Sequence, residues 1–477
     1  MSSLQADVPR LAERTPLDWH KLLGERLAAR REQLQVYEAY YGGDHPMQFA
    51  TTKFQEAFGN LFAAFADNWC EIVVDAAVER LRIQGFRFGE QVSNEAWDLW
   101  QQNGLDLQSK IAHTEAGKCG ECFLLVDPAP ESDFPLITVE HPLQVIVARD
   151  PANPRRRLAA LKEWEGDDGY LYATIYLPDM VLRFESEAPM SSGQQVSWID
   201  RRDEPAVVAN PYGVVPMIPL ENKPGLLVRG SSDLSSAIPL QNAVNKLCTD
   251  MIVASEYGAF RQRVMTGVTV PRDPETGKPI NKPQIEAAMS RIWSTDSKDA
   301  RVYDMAATDL QNFVKAIDML IQHLAAQTRT PPHYLLGQIT NASGDALKTA
   351  EAGLVQKCRG KIEAFSDSWE EAIALALAGG PDGSVADCET VWADPENTSL
   401  SVLVDATLKK QALGVPRDIL WLELGYTPEQ IEMMKPLADA EQQAKLDQQQ
   451  QQFERQQALA QANKPQPQAQ DAGPRQP

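Results

Sequence analysis

Ser232-Asp-Leu-Ser-Ser-Ala-Ile-Pro-Leu-Gln-Asn-Ala-Val-Asn-Lys-Leu-Cys-Thr-Asp-Met-Ile-Val-Ala-Ser-Glu-Tyr-Gly-Ala259 decides the architecture. Leu234, Ile238, Val244, Leu247, Met251, Ile252 and Ala259 recur at three- and four-residue steps, the period of an amphipathic helix, and Ser232 is placed to cap it. The helix is about 30 residues long, roughly 45 Å. Pro271, Pro274, Pro279 and Pro283 follow, with Gly267 and Gly277. A second amphipathic helix covers Asp309 to Gln327, carrying Leu310, Phe313, Val314, Ile317, Leu320, Ile321 and Leu324, and Pro331-Pro332 stops it. A polar loop from Gly337 to Gly344 leads into a third long helix, Asp345 to about Ala378. Two long helices thus bracket a Pro/Gly-rich excursion of roughly 40 residues, longer than a compact domain needs. That order suits a protruding element with contacts outside the monomer; a helical bundle with an inserted subdomain is the other reading.

Outward from this centre, Thr15-Pro16 opens a helix with Leu23, Leu27, Leu34 and Tyr37 on its apolar stripe, and Gly42-Gly43 ends it. Further helices are expected over about Asn60 to Arg80, Asn94 to Gln102 and Leu105 to Ala116. The period then becomes strand-like: Cys122–Val126, Leu136–Val139, Val145–Val147, Leu158–Trp164, Tyr170–Leu177, Met180–Phe184 and Val196–Ile199. Glu165-Gly-Asp-Asp-Gly169 marks a hairpin. Residues 117–220 therefore read as a β-rich insertion in a helical chain. Near the C-terminus, Thr427-Pro-Glu-Gln430 is a capping box. Beyond about Leu437 the chain is Gln-rich, and Asn463–Pro477 has the composition of disorder.

The chain has 477 residues, room for two to four domains. Lys plus Arg total 45 against 66 Asp plus Glu, a formal net charge of −21. That balance argues against a tight grip on nucleic acid or on an anionic membrane. The apolar runs, such as Ile373 to Ala378, are far short of a membrane span. The polar N-terminus is not a secretory signal, and six cysteines in apolar patterns suggest reduced thiols and synthesis in a cytoplasm.

The motifs that could carry chemistry favour bland readings. Cys119-Gly-Glu-Cys122 is a lone C-x-x-C without the second pair of a zinc ribbon, and a structural role is preferred. Gly225-Leu-Leu-Val-Arg-Gly230-Ser231-Ser232 imitates a phosphate-binding loop but lacks its Lys, so a plain loop-to-helix turn is preferred. His20, His45, His113, His141, His323 and His333 show no metal-binding spacing. No catalytic residues, metal or cofactor are assigned.

Several patches occur in a fixed order: Tyr37-Glu-Ala-Tyr-Tyr-Gly-Gly-Asp-His45, Asn68-Trp-Cys-Glu-Ile-Val-Val-Asp75, Arg80-Leu-Arg-Ile-Gln-Gly-Phe86 and Gly120-Glu-Cys-Phe-Leu-Leu-Val126. After them come Asn210-Pro-Tyr-Gly-Val-Val-Pro216, Glu221-Asn-Lys-Pro224, Gly230-Ser-Ser-Asp233, Pro331-Pro-His-Tyr334, Ser343-Gly-Asp-Ala-Leu-Lys348 and Trp392-Ala-Asp-Pro395. In this series, from about Tyr37 to Met434, the chain resembles the portal proteins of tailed double-stranded-DNA bacteriophages, in the branch common in siphophages of Gram-positive and actinobacterial hosts. Cys122 departs from the aromatic residue more usual there.

The resemblance implies an α+β, mainly helical fold: a portal-like fold with an α/β wing, long stem helices, a small α/β clip and a helical crown. It implies residues 1–230 as N-terminal and β-rich wing, 231–262 as a stem helix, 263–307 as clip and 308–330 as the second stem helix. Residues 331–345 would be the tunnel loop, 346–400 the inner wing helix and return strand, 401–440 the crown and 441–477 a Gln-rich, partly disordered tail. The implied function is a ring of twelve at one capsid vertex, a conduit for DNA packaging and ejection without an active site of its own. Implied partners are further copies of the chain, the terminase large subunit, the head–tail adaptor, major capsid and scaffold proteins, and double-stranded DNA passing without sequence specificity. No membrane is implied. The expected location is the virion's portal vertex, with the host cytoplasm during assembly.

In the same frame, Tyr334, Leu335, Gln338, Asn341 and Ser343 are expected to face DNA. Pro271, Arg272, Lys278, Lys282 and Trp293 are expected in partner docking, and Leu247, Met251, Phe313, Ile317 and Leu324 in packing between subunits. The acidic charge then changes meaning: it excludes a protein that holds DNA, not one that lets DNA pass. Another phage head or connector protein, and less favoured a nucleotide-binding enzyme resting on Gly225–Ser232, are the competing readings.

Overall fold

The computed structural model describes residues 15–46, 52–53, 55–56, 67–89, 91–129, 134–189, 196–259, 263–266, 274–276, 299, 301–304, 309–337, 344–378, 388–396 and 400–462. It is 54% helix and 19% strand, the mainly helical α+β class expected. Two compact units are present: residues 1–82, 99–386 and 394–396 form one, residues 83–98, 387–393 and 397–477 the other.

In chain order the elements are α1 (Pro16–Tyr41), α2 (Trp69–Val78), β1 (Ile83–Phe88), β2 (Gln91–Val92), α3 (Asn94–Gln102) and α4 (Leu105–Cys119). Then come β3 (Glu121–Asp127), β4 (Leu136–Glu140), β5 (Val145–Arg149), β6 (Arg157–Glu165), β7 (Leu171–Tyr176), β8 (Met180–Ser186), β9 (Trp198–Asp200), β10 (Val207–Ala209) and β11 (Met217–Glu221). The rest are α5 (Leu234–Ala259), β12 (Arg263–Thr266), β13 (Arg301–Asp304), α6 (Gln311–Thr328), α7 (Pro332–Leu336), α8 (Gly344–Ala378), β14 (Cys388–Trp392), α9 (Leu400–Ala412), α10 (Arg417–Glu423) and α11 (Pro428–Ala462).

Local chemistry sets the ends of α1. The Thr15 hydroxyl accepts the Asp18 amide while the Asp18 carboxylate accepts the Thr15 amide, and Gly43 turns the chain out at φ 83°. The helix expected from about Asn60 is shorter in the described residues: Asp67 and Asn68 are not helical, and α2 starts at Trp69. The Trp69 amide donates to the Gln241 side chain instead of continuing a helix upstream.

In the larger unit, a six-stranded sheet runs β10-β8-β7-β6-β5 with β9 on β8, and a three-stranded sheet runs β11-β3-β4. Trp19, Leu23 and Leu27 of α1 pack on Ile146, Leu161 and Ile175 of the larger sheet. Phe123, Leu125 and Met217 meet Val145, Val147 and Tyr176 between the two sheets. β3 is buried on both faces along nearly its whole length, which is why it reads as an unbroken apolar run. A third core gathers Leu34 and Tyr37 of α1, Val73 and Val74 of α2, Leu234, Ala237 and Val244 of α5, Ile321, Leu324 and Ala325 of α6, and Leu335 of α7. In the smaller unit, β1 pairs antiparallel with β14 and β2, Phe86 lying opposite Thr390. The Thr427–Gln430 capping box forms as expected.

Candidate functional site

α5 and α6 are antiparallel. The start of α5 shares a core with the end of α6, and the strands that continue them, β12 and β13, pair antiparallel from Arg263↔Asp304 to Thr266↔Arg301. Ser232 caps α5, its hydroxyl accepting the Leu234 amide at 2.9 Å. Toward β12 the apolar side chains emerge from the core: Leu247, Met251 and Phe313 are half-buried, and Val314 and Met319 are exposed. Ile317 is half-buried against the core. Leu324 is only 1% exposed, so its side chain is committed to the chain's own core and the expected subunit contact at Leu324 is withdrawn.

The base of the pair is fixed by polar contacts. Tyr40 donates to the Asn242 side chain at 2.8 Å, Asn245 bonds the His45 ring at 2.9 Å, and Gln241 donates to the Asp67 carbonyl at 2.7 Å. Ahead of α5 sits a buried ionic node. The Asp233 carboxylate lies 2.8 Å from Lys361 Nζ and 3.5 Å from Lys357 Nζ, and it also pairs with Lys223. Lys361 donates to Asn222 at 2.6 Å and Lys357 to the Val73 carbonyl at 2.9 Å. Burial would push the Asp233 carboxyl up; the ammonium groups of Lys361, Lys357 and Lys223 overcome it and hold the group well below the ordinary range. Lys357 is pushed down to about 8, by burial first, against the pull of Asp233 and with repulsion from the other two lysines. The node joins α5, α8 and the loop after β11.

The node also settles the phosphate-loop imitation. A Cβ on Gly230 would stand 1.9 Å from the Gly120 carbonyl oxygen, so this glycine serves a backbone crossing. The helix start that would receive a phosphate carries Asp233 instead. An adjoining cleft of about 810 Å³ is lined by Lys223, Lys357 and Lys361 but also by Glu221, Glu363 and Asp367, a mixture that does not focus an anion.

After α6, the segment expected as loop begins with a helical turn, α7. Leu335 is buried in the core and its carbonyl accepts from Trp69 Nε1 at 3.2 Å, so the expectation that its side chain faces DNA is corrected. The Tyr334 hydroxyl accepts from Arg80 at 2.7 Å, and Arg80 also pairs with Glu351 of α8 at 3.1 Å. Gln338, Asn341 and Ser343 lie outside the described residues, as do Pro271, Arg272, Lys278, Lys282 and Trp293.

One cluster has no counterpart in the sequence reading. Atoms of Glu38, Glu115, Cys119 and His141 lie within 4.8 Å of one another, a set able to hold a metal. Its chemistry points elsewhere. Lys118 Nζ donates to Glu38 and Glu115, each at 2.8 Å, and so supplies the cation. The Leu143 amide nitrogen lies 3.0 Å from His141 Nδ1, and Nε2 faces Glu38 at 2.8 Å and Glu115 at 3.0 Å. Burial would lower the His141 pKa, but hydrogen bonds to Glu115 and Glu38 raise it to about 9; Glu38, raised by burial and lowered by His141 and Lys118, falls to about 2. Two acids facing two cations form a closed ion-pair network. Cys119 and Cys122 are free and buried; the Cys119 thiol faces Glu38 and Cys122 the Glu140 carbonyl, and burial pushes both thiols up.

The helix pair thus leaves a mixed α/β body and is braced at its root by buried ions. The profile described as "Phage portal protein, SPP1 Gp6-like" matches residues 20–452, and the chain belongs to this family. The portal protein of Mycobacterium phage D29 is 29% identical over 393 residues, covering 76% of this chain and 77% of its own length. The portal protein of Mycobacterium phage L5 is 28% identical over 390 residues, 76% of each chain. The family is one of structural virion proteins. Among the described residues no helix is long and apolar enough to cross a membrane.

Proposed function

We propose that the chain forms a ring of twelve at one capsid vertex and serves as the conduit for double-stranded DNA during packaging and ejection. The observation that carries this reading is the antiparallel pair α5–α6, whose apolar residues emerge from the monomer's core toward β12 and β13. Leu247, Met251, Phe313, Val314 and Met319 are the side chains that neighbouring copies would cover, by helix packing.

In this reading residues 1–230 are wing, 231–262 and 308–330 stem, and 263–307 clip. Residues 331–345 are the tunnel segment, 346–400 the inner wing helix and return strand, 401–440 the crown and 441–477 the tail. Pro271, Arg272, Lys278, Lys282 and Trp293 present the clip to the terminase large subunit and then to the head–tail adaptor. Major capsid and scaffold proteins meet the ring's outside. Gln338, Asn341 and Ser343 face DNA without reading bases, while Tyr334, tied to Arg80, holds the root of that segment. The ring assembles in the host cytoplasm and stays at the virion's portal vertex, with no catalytic step of its own.

Deletion of Pro271–Lys282 tests the docking role. It is expected to lower capture of terminase or adaptor at least tenfold while the melting temperature of the full chain stays the same. Collapse of folding, or unchanged capture, contradicts the clip assignment.

A further inference from the structure

Tyr40 near the end of α1, His45 just after it and Trp69 at the start of α2 meet one face of α5 in a buried chain of hydrogen bonds. The Trp69 amide donates to Gln241 Oε1 at 2.9 Å. Gln241 Nε2 donates to the Asp67 carbonyl at 2.7 Å and to Asn245 Oδ1 at 3.0 Å. Asn245 Nδ2 lies 2.9 Å from His45 Nδ1, and His45 Nε2 lies 3.0 Å from the Tyr40 carbonyl oxygen. Gln241 and Asn245, one turn apart, are sealed from water, and the His45 ring is only 7% exposed. That ring stacks on Tyr40, whose hydroxyl donates to Asn242 of the same helix.

The chain of bonds runs in one direction. A backbone amide only donates and a backbone carbonyl only accepts, so Trp69 and Asp67 fix which end of the Gln241 amide is oxygen. Gln241 fixes Asn245 in turn, because its nitrogen needs the Asn245 oxygen. The Asn245 nitrogen is left facing the His45 ring, and it brings a hydrogen. At the far side the Tyr40 carbonyl needs a hydrogen from Nε2. His45 therefore carries its proton on Nε2 and leaves Nδ1 bare, the neutral ring in one tautomer. A second proton would set two donors face to face, Nδ1 against the Asn245 amide, in a site closed to water.

The surroundings agree. Among the described residues, the titratable groups packed about these bonds are Tyr40, Asp44, Asp67, Cys70 and Cys248. Burial pushes Tyr40, Cys70 and Cys248 up, so they stay uncharged near neutral pH, and it pushes the Asp67 carboxyl up as well. For His45 burial comes first and lowers the pKa; the Tyr40 carbonyl, Asp44 and Asn68 pull the other way without overcoming it.

We propose that His45 is a positioning residue of the helix pair and a proton-sensitive latch: the neutral ring ties the root of α5 to α1 and α2, and protonation releases the tie. The inference concerns one copy of the chain and goes beyond the ring reading, which can stand or fall without it.

The test uses the full chain as wild type, H45Q, N245D and H45Q/N245D. Hydrogen exchange of α5 peptides is read by mass spectrometry at pH 5.5, 6.5 and 7.5. Chains are compared at the same pH, so intrinsic exchange cancels. Glutamine can donate and accept as the neutral ring does, but takes up no proton. A folded-state pKa below the ordinary 6.5 leaves the His45 contribution whole above about pH 6.5 and removes it as pH falls. The opening of α5 in wild type relative to H45Q is therefore expected to rise about fivefold from pH 6.5 to 5.5, and less than about twofold from 7.5 to 6.5. Asn245→Asp sets an acceptor against Nδ1 and favours the charged ring, which reverses the sign. In that background the opening with His45, relative to Gln, is expected to fall as pH drops from 7.5. Should H45Q not fold, N245D against wild type reads the same reversal. Parallel exchange of wild type and H45Q at all three pH values overturns the latch, and so does an N245D chain that keeps the wild-type sign.

Discussion

Lys361 Nζ sits 2.8 Å from the Asp233 carboxylate, with both side chains sealed from water. Removing the acid leaves buried ammonium groups facing one another. Asp233→Asn is therefore expected to cost about 3–5 kcal/mol of folding stability, the range for breaking a buried pair. Lys223→Ala is expected to cost under about 1 kcal/mol, because that side chain is half in solvent. Urea unfolding of the two variants checks the contrast; equal losses contradict the node as described.

The His141 network gives a pH dependence with a definite sign. The folded pKa of about 9 lies above the ordinary 6.5, so the charged ring stabilises the fold fully below about pH 6.5. That contribution fades as pH rises through about 9. The loss should be about 1–3 kcal/mol. His141→Gln should remove this part of the slope, so the wild-type and variant stability curves converge toward pH 9–10. Parallel curves between pH 6.5 and 9 would show that His141 is not charged in the fold.

Two glycines separate a backbone crossing from a merely permissive site. Gly230→Ala places a Cβ 1.9 Å from a carbonyl oxygen that cannot step aside, and is expected to cost more than about 3 kcal/mol or to abolish soluble expression. Gly360→Ala, exposed on α8 where a Cβ meets nothing, should stabilise by about 0.5–1 kcal/mol. Thermal melts of both variants decide it.

The segment Tyr334 to Gly344 holds no Lys or Arg. If DNA slides along it, added cations should act as electrostatic traps, since each neutralised phosphate adds binding energy. Placing Arg at Gln338 and Asn341 is expected to slow DNA packaging, more at low salt than at high. Unchanged velocity in a motor assay would remove the DNA-facing assignment.

What the sequence disclosed follows the range of the interactions. Thr15-Pro16, Gly42-Gly43, Thr427–Gln430 and the 165–169 turn act within a few residues, and the elements begin or turn there. The helices around Leu234 and Phe313 carry their period in their own residues. Long-range pairing was less legible: β1 finds its partner β14 about 300 residues away, and nothing local in Ile83–Phe88 names it. Lys357 and Lys361 look like solvent-facing positions of a helix until Asp233 is folded against them. Glu38, Glu115, Lys118 and His141 likewise meet only in three dimensions. Leu335 was misplaced because Pro331-Pro332 signals a breaker, whereas here a first-turn proline starts a helical turn that points the leucine inward. The phosphate-loop imitation hid the glycine crossing.

Electron microscopy of the purified full chain decides whether it assembles into a ring. Rings with a central hole are expected, lost or weakened in variants that place charge on the exposed Val314 and Met319. A compact monomer at all concentrations, with no ring in any field, would contradict it.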